Sequence, residues 1–394
     1  MKKFFYENAP SGWRITFLTL LLLWCASLFF KNAVYQISFA ALNLFFLAHL
    51  LYFKNYAILS EIFKKTRFIA ICFIFVVATL AISNLLNEAV ISKKAWQSTL
   101  FFILRYGTIF LTLCYFYKLK FFDQNAVFAF LFVGLGILSA SVIYQFASSS
   151  DAIVFSSDSV RGGLSGALSN RNILGLFMGF GLCLSAVAIR RPLALKFVAL
   201  LLFAFFMIFS FSRAAWVGAF CALAFYGALN LKSLNKKYLL FTVGFIALFA
   251  VLLALSPSFE QRLAALFSGD SSGRTVIWSY ILEMAQEKPI LGYGLGSYIN
   301  LPGSPVLEHP EYNAPHNLFL EILLYSGALG LIFYGAILFS VFKECVQSRQ
   351  FGVLTLMIYL LIDCQFDHGA YLSKEALSLA TILSFLAYRM RIER

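Results

Sequence analysis

The feature that most constrains this chain is a succession of apolar runs, each about as long as a bilayer is thick. About 20 predominantly apolar residues in a helix cross the hydrocarbon layer. Backbone groups inside that layer must bond within their own segment, so such runs are helices. Twelve runs are legible, at roughly 15–30, 34–53, 68–87, 97–117, 125–146, 170–189, 193–211, 213–230, 238–255, 317–342, 351–363 and 374–389. The eleventh, at about 13 residues, is short enough to be tilted or re-entrant. Composition agrees: 61% of residues are apolar and 12% charged, too little charge to cover a water-soluble surface. The 46 phenylalanines suit lipid-facing and interfacial surface. The fold expected is all-α, a polytopic membrane protein of about 12 transmembrane helices with one long, partly helical periplasmic loop. Residues 1–255 would carry spans one to nine, 256–316 the loop and 317–394 the last three spans.

A net charge of +13 does not imply nucleic acid, because the basic residues come in twos and threes between apolar runs. That is how topology is written in a membrane protein. With a cytoplasmic N-terminus, 20 of the 31 lysines and arginines fall inside, among them Lys2, Lys3, Lys64, Lys65, Arg190, Arg191, Lys236 and Lys237. Ten fall outside and Arg105 lies within a span. This two-to-one bias predicts cytoplasmic N- and C-termini and an even number of spans. The first apolar run has no small-residue cleavage site, so it is expected to be an uncleaved first helix. The seven cysteines show neither metal-ligand spacing nor a disulfide framework.

Residues 147–169 form a moderate outside loop rich in Ser and Gly, and 256–316 a long one with its own helical pattern. Residues 258–267 read as a short amphipathic piece. Asp270, Ser271, Ser272 and Gly273 then precede an apolar-periodic stretch from Val276 to Met284, a helix-start signal. Pro289, Gly292, Gly294 and Gly296 end it. Long ordered loops are usually functional.

Motifs of soluble enzymes are absent from the sequence: it has no Walker A, no dinucleotide fingerprint, no HExxH, no GxSxG and no Asp-x-Asp. What remains is a set of outward cations and one histidine. Arg213, in Phe211-Ser212-Arg213-Ala214-Ala215-Trp216, has a two-residue break between apolar runs and opposes the positive-inside rule. Arg274 opens the loop helix in a segment with three basic and six acidic residues, so it belongs to no general basic face. A helix N-terminus favours anions, and guanidinium groups bind phosphate oxygens in pairs. His316, in Asn313-Ala314-Pro315-His316-Asn317, stands where the long loop meets the tenth span. Imidazole titrates near neutrality and is the natural general base there. Arg161 is a further anion contact, and Asn170, Arg171 and Asn172 form a helix entry that is either a cap or a contact. Arg105, about 12 Å into its span, is expected to pair with Glu321 or to face a cavity. Asp363, Asp367 and His368 form a weak metal-type triplet that helical spacing produces by chance.

These residues carry a resemblance. Ser-Arg-Ala-Ala-Trp at 212–216 is followed by Gly-Arg-x-x-x-Trp at 273–278 and Pro-Ile-Leu-Gly-Tyr-Gly-Leu-Gly-Ser-Tyr at 289–298. His-Asn-Leu-Phe-Leu-Glu at 316–321 and Gly327-Ala328-Leu329-Gly330 complete the order. Over about residues 155–340 this resembles the O-antigen ligase and polymerase superfamily of bacterial envelopes. The resemblance implies a glycosyltransferase in the bacterial inner membrane with a periplasmic active site and no cofactor or metal. Its donor is a glycan on undecaprenyl diphosphate; its acceptor is lipid A-core in ligases and another lipid-linked unit in polymerases. Arg213 and Arg274 would hold the diphosphate and His316 would activate the acceptor hydroxyl. Arg161, Asn172, Arg105 and Glu321 are the expected substrate-binding residues. The family's usual Leu four residues after the first arginine is Val217 here. A transporter would need ionisable groups near the bilayer midplane, and only Arg105 and Glu321 qualify. A protein O-oligosaccharyltransferase is a further variant of the enzyme reading.

Overall fold

Helices α1 (Ser11–Ser27), α2 (Asn32–Phe53), α3 (Tyr56–Lys65) and α4 (Arg67–Leu86) open the chain in the computed structural model. Helix α5 (Ala95–Lys118) contains a π-helical segment at Ile103–Thr108. Then come α6 (Gln124–Ser148), α7 (Arg171–Ala188), α8 (Leu193–Phe209) and α9 (Arg213–Leu229). Helices α10 (Arg274–Glu287), α11 (Leu318–Gln347), α12 (Phe351–Asp363) and α13 (Lys374–Glu393) complete it. The structure describes residues 11–30, 32–148, 163–168, 170–230, 244, 247, 264, 273–367, 369 and 371–394, with no strand among them. The expected span 238–255, apart from residues 244 and 247, lies outside the described residues. So do Arg161, His368 and, apart from residue 264, the amphipathic piece 258–267.

Six described helices, α2, α4, α5, α6, α7 and α11, are long and apolar enough to cross a membrane. Four shorter apolar helices, α1, α8, α9 and α12, have 10–17 residues. The eleventh expected span keeps its predicted bounds and its 13 residues as α12. Residues 56–65, between the second and third expected spans, form α3. Only Ile58 and Ile62 of this helix are buried, so it lies along the bundle rather than through it. Many phenylalanines line the interior rather than the lipid surface: Phe17 and Phe116, both fully buried, stack at 4.1 Å.

Close contacts sort the helix ends into two groups. At one end, α7 begins beside the start of α9, where a Cβ on Gly175 would overlap Ser212. The Tyr359 hydroxyl of α12 donates to Leu176 O of α7 at 2.8 Å. The Leu318 N–H that opens α11 donates to Cys364 O just beyond α12, at 2.8 Å. Helices α7, α9, α11 and α13 all start here, each capped by a side chain: Asn170, Ser212, Asn317 and Ser373. Their positive dipole ends therefore converge. At the opposite end Glu61 bridges Lys65 at 2.6 Å and Lys118 at 2.9 Å. Both lysines also donate to Ile392 O of α13, which ties α3, α5 and α13 together.

The glycine motifs have a structural cause. Helix α11 breaks at Gly327, whose φ of 63° and ψ of −166° only glycine adopts readily. The segment 289–294 docks its backbone into that break. Ala328 N donates to Pro289 O at 2.7 Å, Tyr293 N to Leu324 O at 2.8 Å and Gly294 N to Tyr325 O at 3.0 Å. A Cβ on Gly327 would overlap the Ile290 carbonyl. Gly327→Ala is therefore expected to destabilise the protein by about 2 kcal/mol or more, seen as a lower thermal midpoint of the detergent-purified chain. Gly335→Ala, with open space at its Cβ, is the control and should leave the midpoint unchanged or raised.

Candidate active site

The helix predicted at Val276–Met284 runs from Arg274 to Glu287. Gly273, at φ 80°, makes the turn into it, packed against Tyr312 so closely that a Cβ would overlap the ring. Arg274 and Trp278, one turn apart, share a helix face. Trp278 Nε1 donates to Pro315 O at 3.2 Å, so the helix carrying Arg274 is bonded directly to the segment carrying His316.

His316 has φ 50°, a left-handed conformation unusual for any residue but glycine. Its neighbours hold it there. Asn317 caps α11 through Phe319 N at 2.9 Å and Leu320 N at 3.0 Å, and its own amide donates to Gln365 O at 2.9 Å. With the Pro315 carbonyl held by Trp278 on one side and Asn317 on the other, the ring has a fixed direction. Nδ1 of His316 lies 3.1 Å from Asp367 Oδ1. The same oxygen is 3.8 Å from an Arg274 Nη. The Asp367 side chain is 5% exposed, against 24% for His316 and 18% for Arg274, so a buried anion anchors two partly open groups. An ionised carboxylate only accepts, so Nδ1 carries the ring proton and Nε2 is left as an acceptor.

Arg213 is the first residue of α9, capped by Ser212. Helix α9 lies against α12, and a Cβ on Gly218 would meet Tyr359 O at 3.2 Å. Arg213 lies at the end of α9 that adjoins the start of α7. The three residues predicted for chemistry thus stand at one end of the bundle, two of them joined through Asp367.

The remaining expected residues have different settings. Glu321, 3% exposed, accepts from Tyr371 N at 3.0 Å and abuts Gly369, so its carboxylate braces the segment that follows Asp367. Arg105 is not paired with it; the guanidinium lies 4.9 Å from the Phe101 ring centre and 5.5 Å from that of Tyr35. Glu321 instead faces backbone because Tyr371 closes over it in the connection to α13. The N–H of Asn172 is taken by the Asn170 side chain at 2.8 Å, the capping arrangement. Arg171 packs beside Gly163 and Ser210 near the start of α9. Sequence reasoning set Asp367 aside as part of a weak metal triplet. Its partner lies 51 positions away, and no local pattern announces that contact.

The family model described as O-antigen ligase matches residues 197–335, which include Arg213, Arg274, His316, Glu321 and Gly327. Asp367 lies beyond the matched segment. A "Putative polysaccharide ligase" of Rickettsia conorii is 31% identical over 97 residues, covering 22% of this chain and 24% of that protein. One of Rickettsia felis is 30% identical over 97 residues, with the same two coverages. A third, of Rickettsia typhi, is 34% identical over 79 residues, 18% of this chain and 20% of the relative. The matched stretch spans about a quarter or less of the length of these relatives.

Proposed function

We propose, from the match of residues 197–335 to the family model described as O-antigen ligase, that the chain is a member of that superfamily and transfers a glycan from undecaprenyl diphosphate to a hydroxyl of lipid A-core. The observation that carries this reading is the Asp367 carboxylate shared by His316 and Arg274. His316 Nε2 takes the proton of the acceptor hydroxyl as its oxygen attacks the anomeric carbon of the donor sugar. The bond from that carbon to the diphosphate breaks, and undecaprenyl diphosphate leaves with the electron pair. Arg274 and Arg213 stabilise the negative charge that develops on it, helped by the N-termini of α9 and α10. Asp367 holds the imidazole in the competent tautomer and stabilises the imidazolium that forms, the role of the orienting carboxylate in histidine-dependent acyl transfer.

The name of the relatives favours ligase over polymerase. A gel of the envelope glycolipids from a deletion strain tests it. Loss of a ligase leaves core bare while glycan accumulates on undecaprenyl diphosphate. Core capped with a single repeat unit would identify a polymerase instead.

The reading also places the His316 end of the bundle in the periplasm, on the strength of the charge bias. Cysteine substitution checks it at exposed positions: Glu308 at the site end and Gln347 at the other. Glu308→Cys should react with an impermeant thiol reagent in spheroplasts and Gln347→Cys only after permeabilisation. The reverse pattern would put the site in the cytoplasm.

A further inference from the structure

We propose that Arg105, Lys374 and the N-terminus of α13 form a second anion subsite, apart from the Arg213–Arg274 pair, that takes the phosphate head group of a lipid. Arg105 is 7% exposed, and its Nε is buried with no hydrogen-bond partner. Among the described residues its guanidinium donates to nothing; its neighbours are the rings of Tyr35 and Phe101. Lys374, 8% exposed, sets its Nζ 5.3 Å from the centre of the same Tyr35 ring. That ammonium donates to Phe30 O at 2.9 Å and lies 3.6 Å from Glu375 Oε1. Of these two buried cations only Lys374 has a carboxylate beside it among the described residues, and the start of α13 adds the positive end of its dipole. A buried cation with no counter-ion is strongly disfavoured, so the cluster is built to receive an anion. Arg105 also sits in the π-helical segment of α5, a distortion that recurs at functional sites.

The surroundings point to a lipid as the source of that anion. On α2, Val34 and Ile37 flank Tyr35 and are 54% and 71% exposed. The cations therefore lie one side chain behind an apolar outer face, where a bilayer head group arrives sideways. Soluble phosphate would have to pass the same aromatic and aliphatic screen. The segment 367–374 joins the two sites: Asp367 faces His316 at one end, Glu321 braces Tyr371 midway, and Lys374 closes the anion cluster. A lipid phosphate held at Lys374 thus lies a short connection from the general base. Naming this lipid as the acceptor rests on the transfer reaction proposed above; the binding itself does not.

The test is native mass spectrometry of the full chain purified in detergent, titrated with dioleoylphosphatidate, dioleoylphosphatidylcholine or sodium phosphate. Wild type and Arg213→Lys should bind phosphatidate equally. Arg105→Met should bind it about tenfold more weakly, the loss of one charge-assisted contact. Lys374→Gln should weaken it too, and Arg105→Lys should fall between Arg105→Met and wild type. Arg105→Lys and Lys374→Gln keep the comparison valid if the thermal midpoint of Arg105→Met drops. Phosphatidate affinity unchanged in both Arg105→Met and Lys374→Gln overturns the subsite. Loss in Arg213→Lys with retention in Arg105→Met places the anion at the transfer site, which overturns this inference and leaves the proposed function standing. Sodium phosphate displacing phosphatidate at equal concentration overturns the lipid as source. In transfer assays Arg105→Met should raise the acceptor KM and leave kcat unchanged; an unchanged KM detaches the subsite from the acceptor.

Discussion

Replacing His316 by alanine is expected to slow glycan transfer by about a hundredfold to ten-thousandfold, the loss of general-base assistance. Binding of lipid-linked donor should survive, because the groups assigned to the diphosphate remain. Asp367→Asn sharpens the test. The substitution nearly preserves shape, yet the amide can donate to Nδ1 and leave the proton on Nε2, where it blocks base catalysis. It should approach the His316→Ala rate, about a hundredfold or more below wild type. The measurement is transfer from lipid-linked donor to acceptor by purified, detergent-solubilised protein with chelator present. A folded His316→Ala protein that transfers at the normal rate removes the histidine from the mechanism, whatever its geometry. If Asp367→Asn alone is normal, Asp367 serves only to hold the loop.

Arg274→Lys is expected to cost about a hundredfold to a thousandfold in rate, or roughly 3–4 kcal/mol of transition-state stabilisation. Lysine keeps the charge but loses the planar two-donor fork that a phosphate contact uses. Arg213→Lys should behave in the same way. Unlike His316→Ala, both should also weaken donor binding, since the diphosphate carries charge in the ground state as well. An arginine that merely sits at the bilayer interface tolerates lysine, which snorkels equally well. Normal donor affinity and normal rate in both variants would reduce these arginines to topology and leave the diphosphate without a clamp. Because Asp367 also lies within ion-pair reach of Arg274, the Asp367→Asn and Arg274→Lys effects should combine by less than their product.

Much of this molecule is written locally. A bilayer demands runs of apolar residues of fixed length, so the helices of α2, α4, α6 and α7 follow from hydropathy alone. Gly273 before an apolar period marks the start of α10, because capping chemistry acts over one turn. The charge asymmetry of Arg213, Arg274 and their surroundings singles them out for the same reason: a cation where topology does not call for one is conspicuous along a single dimension. The helix α3 escapes a search for spans, since ten amphipathic residues are too short and too polar to register as an apolar run of bilayer length.

What only the tertiary structure decided is which of these groups meet. The sequence presents His316 as one histidine beside a helix cap; the fold brings Asp367 to it from beyond α12 and ties Arg274 to the same carboxylate oxygen. It sets Glu321 against the backbone of Tyr371 and turns Arg105 toward aromatic rings and Lys374, although both read as a plausible pair in sequence. It also gives the glycines of 292–296 and Gly327 their common purpose, two backbone segments meeting at hydrogen-bond distance where no Cβ fits. The division has a physical cause. Hydropathy and capping are properties of a segment and its solvent, so they determine helices and their ends from sequence alone. A hydrogen bond across 51 residues depends on how helices pack, and packing is fixed by the summed contacts of the whole bundle.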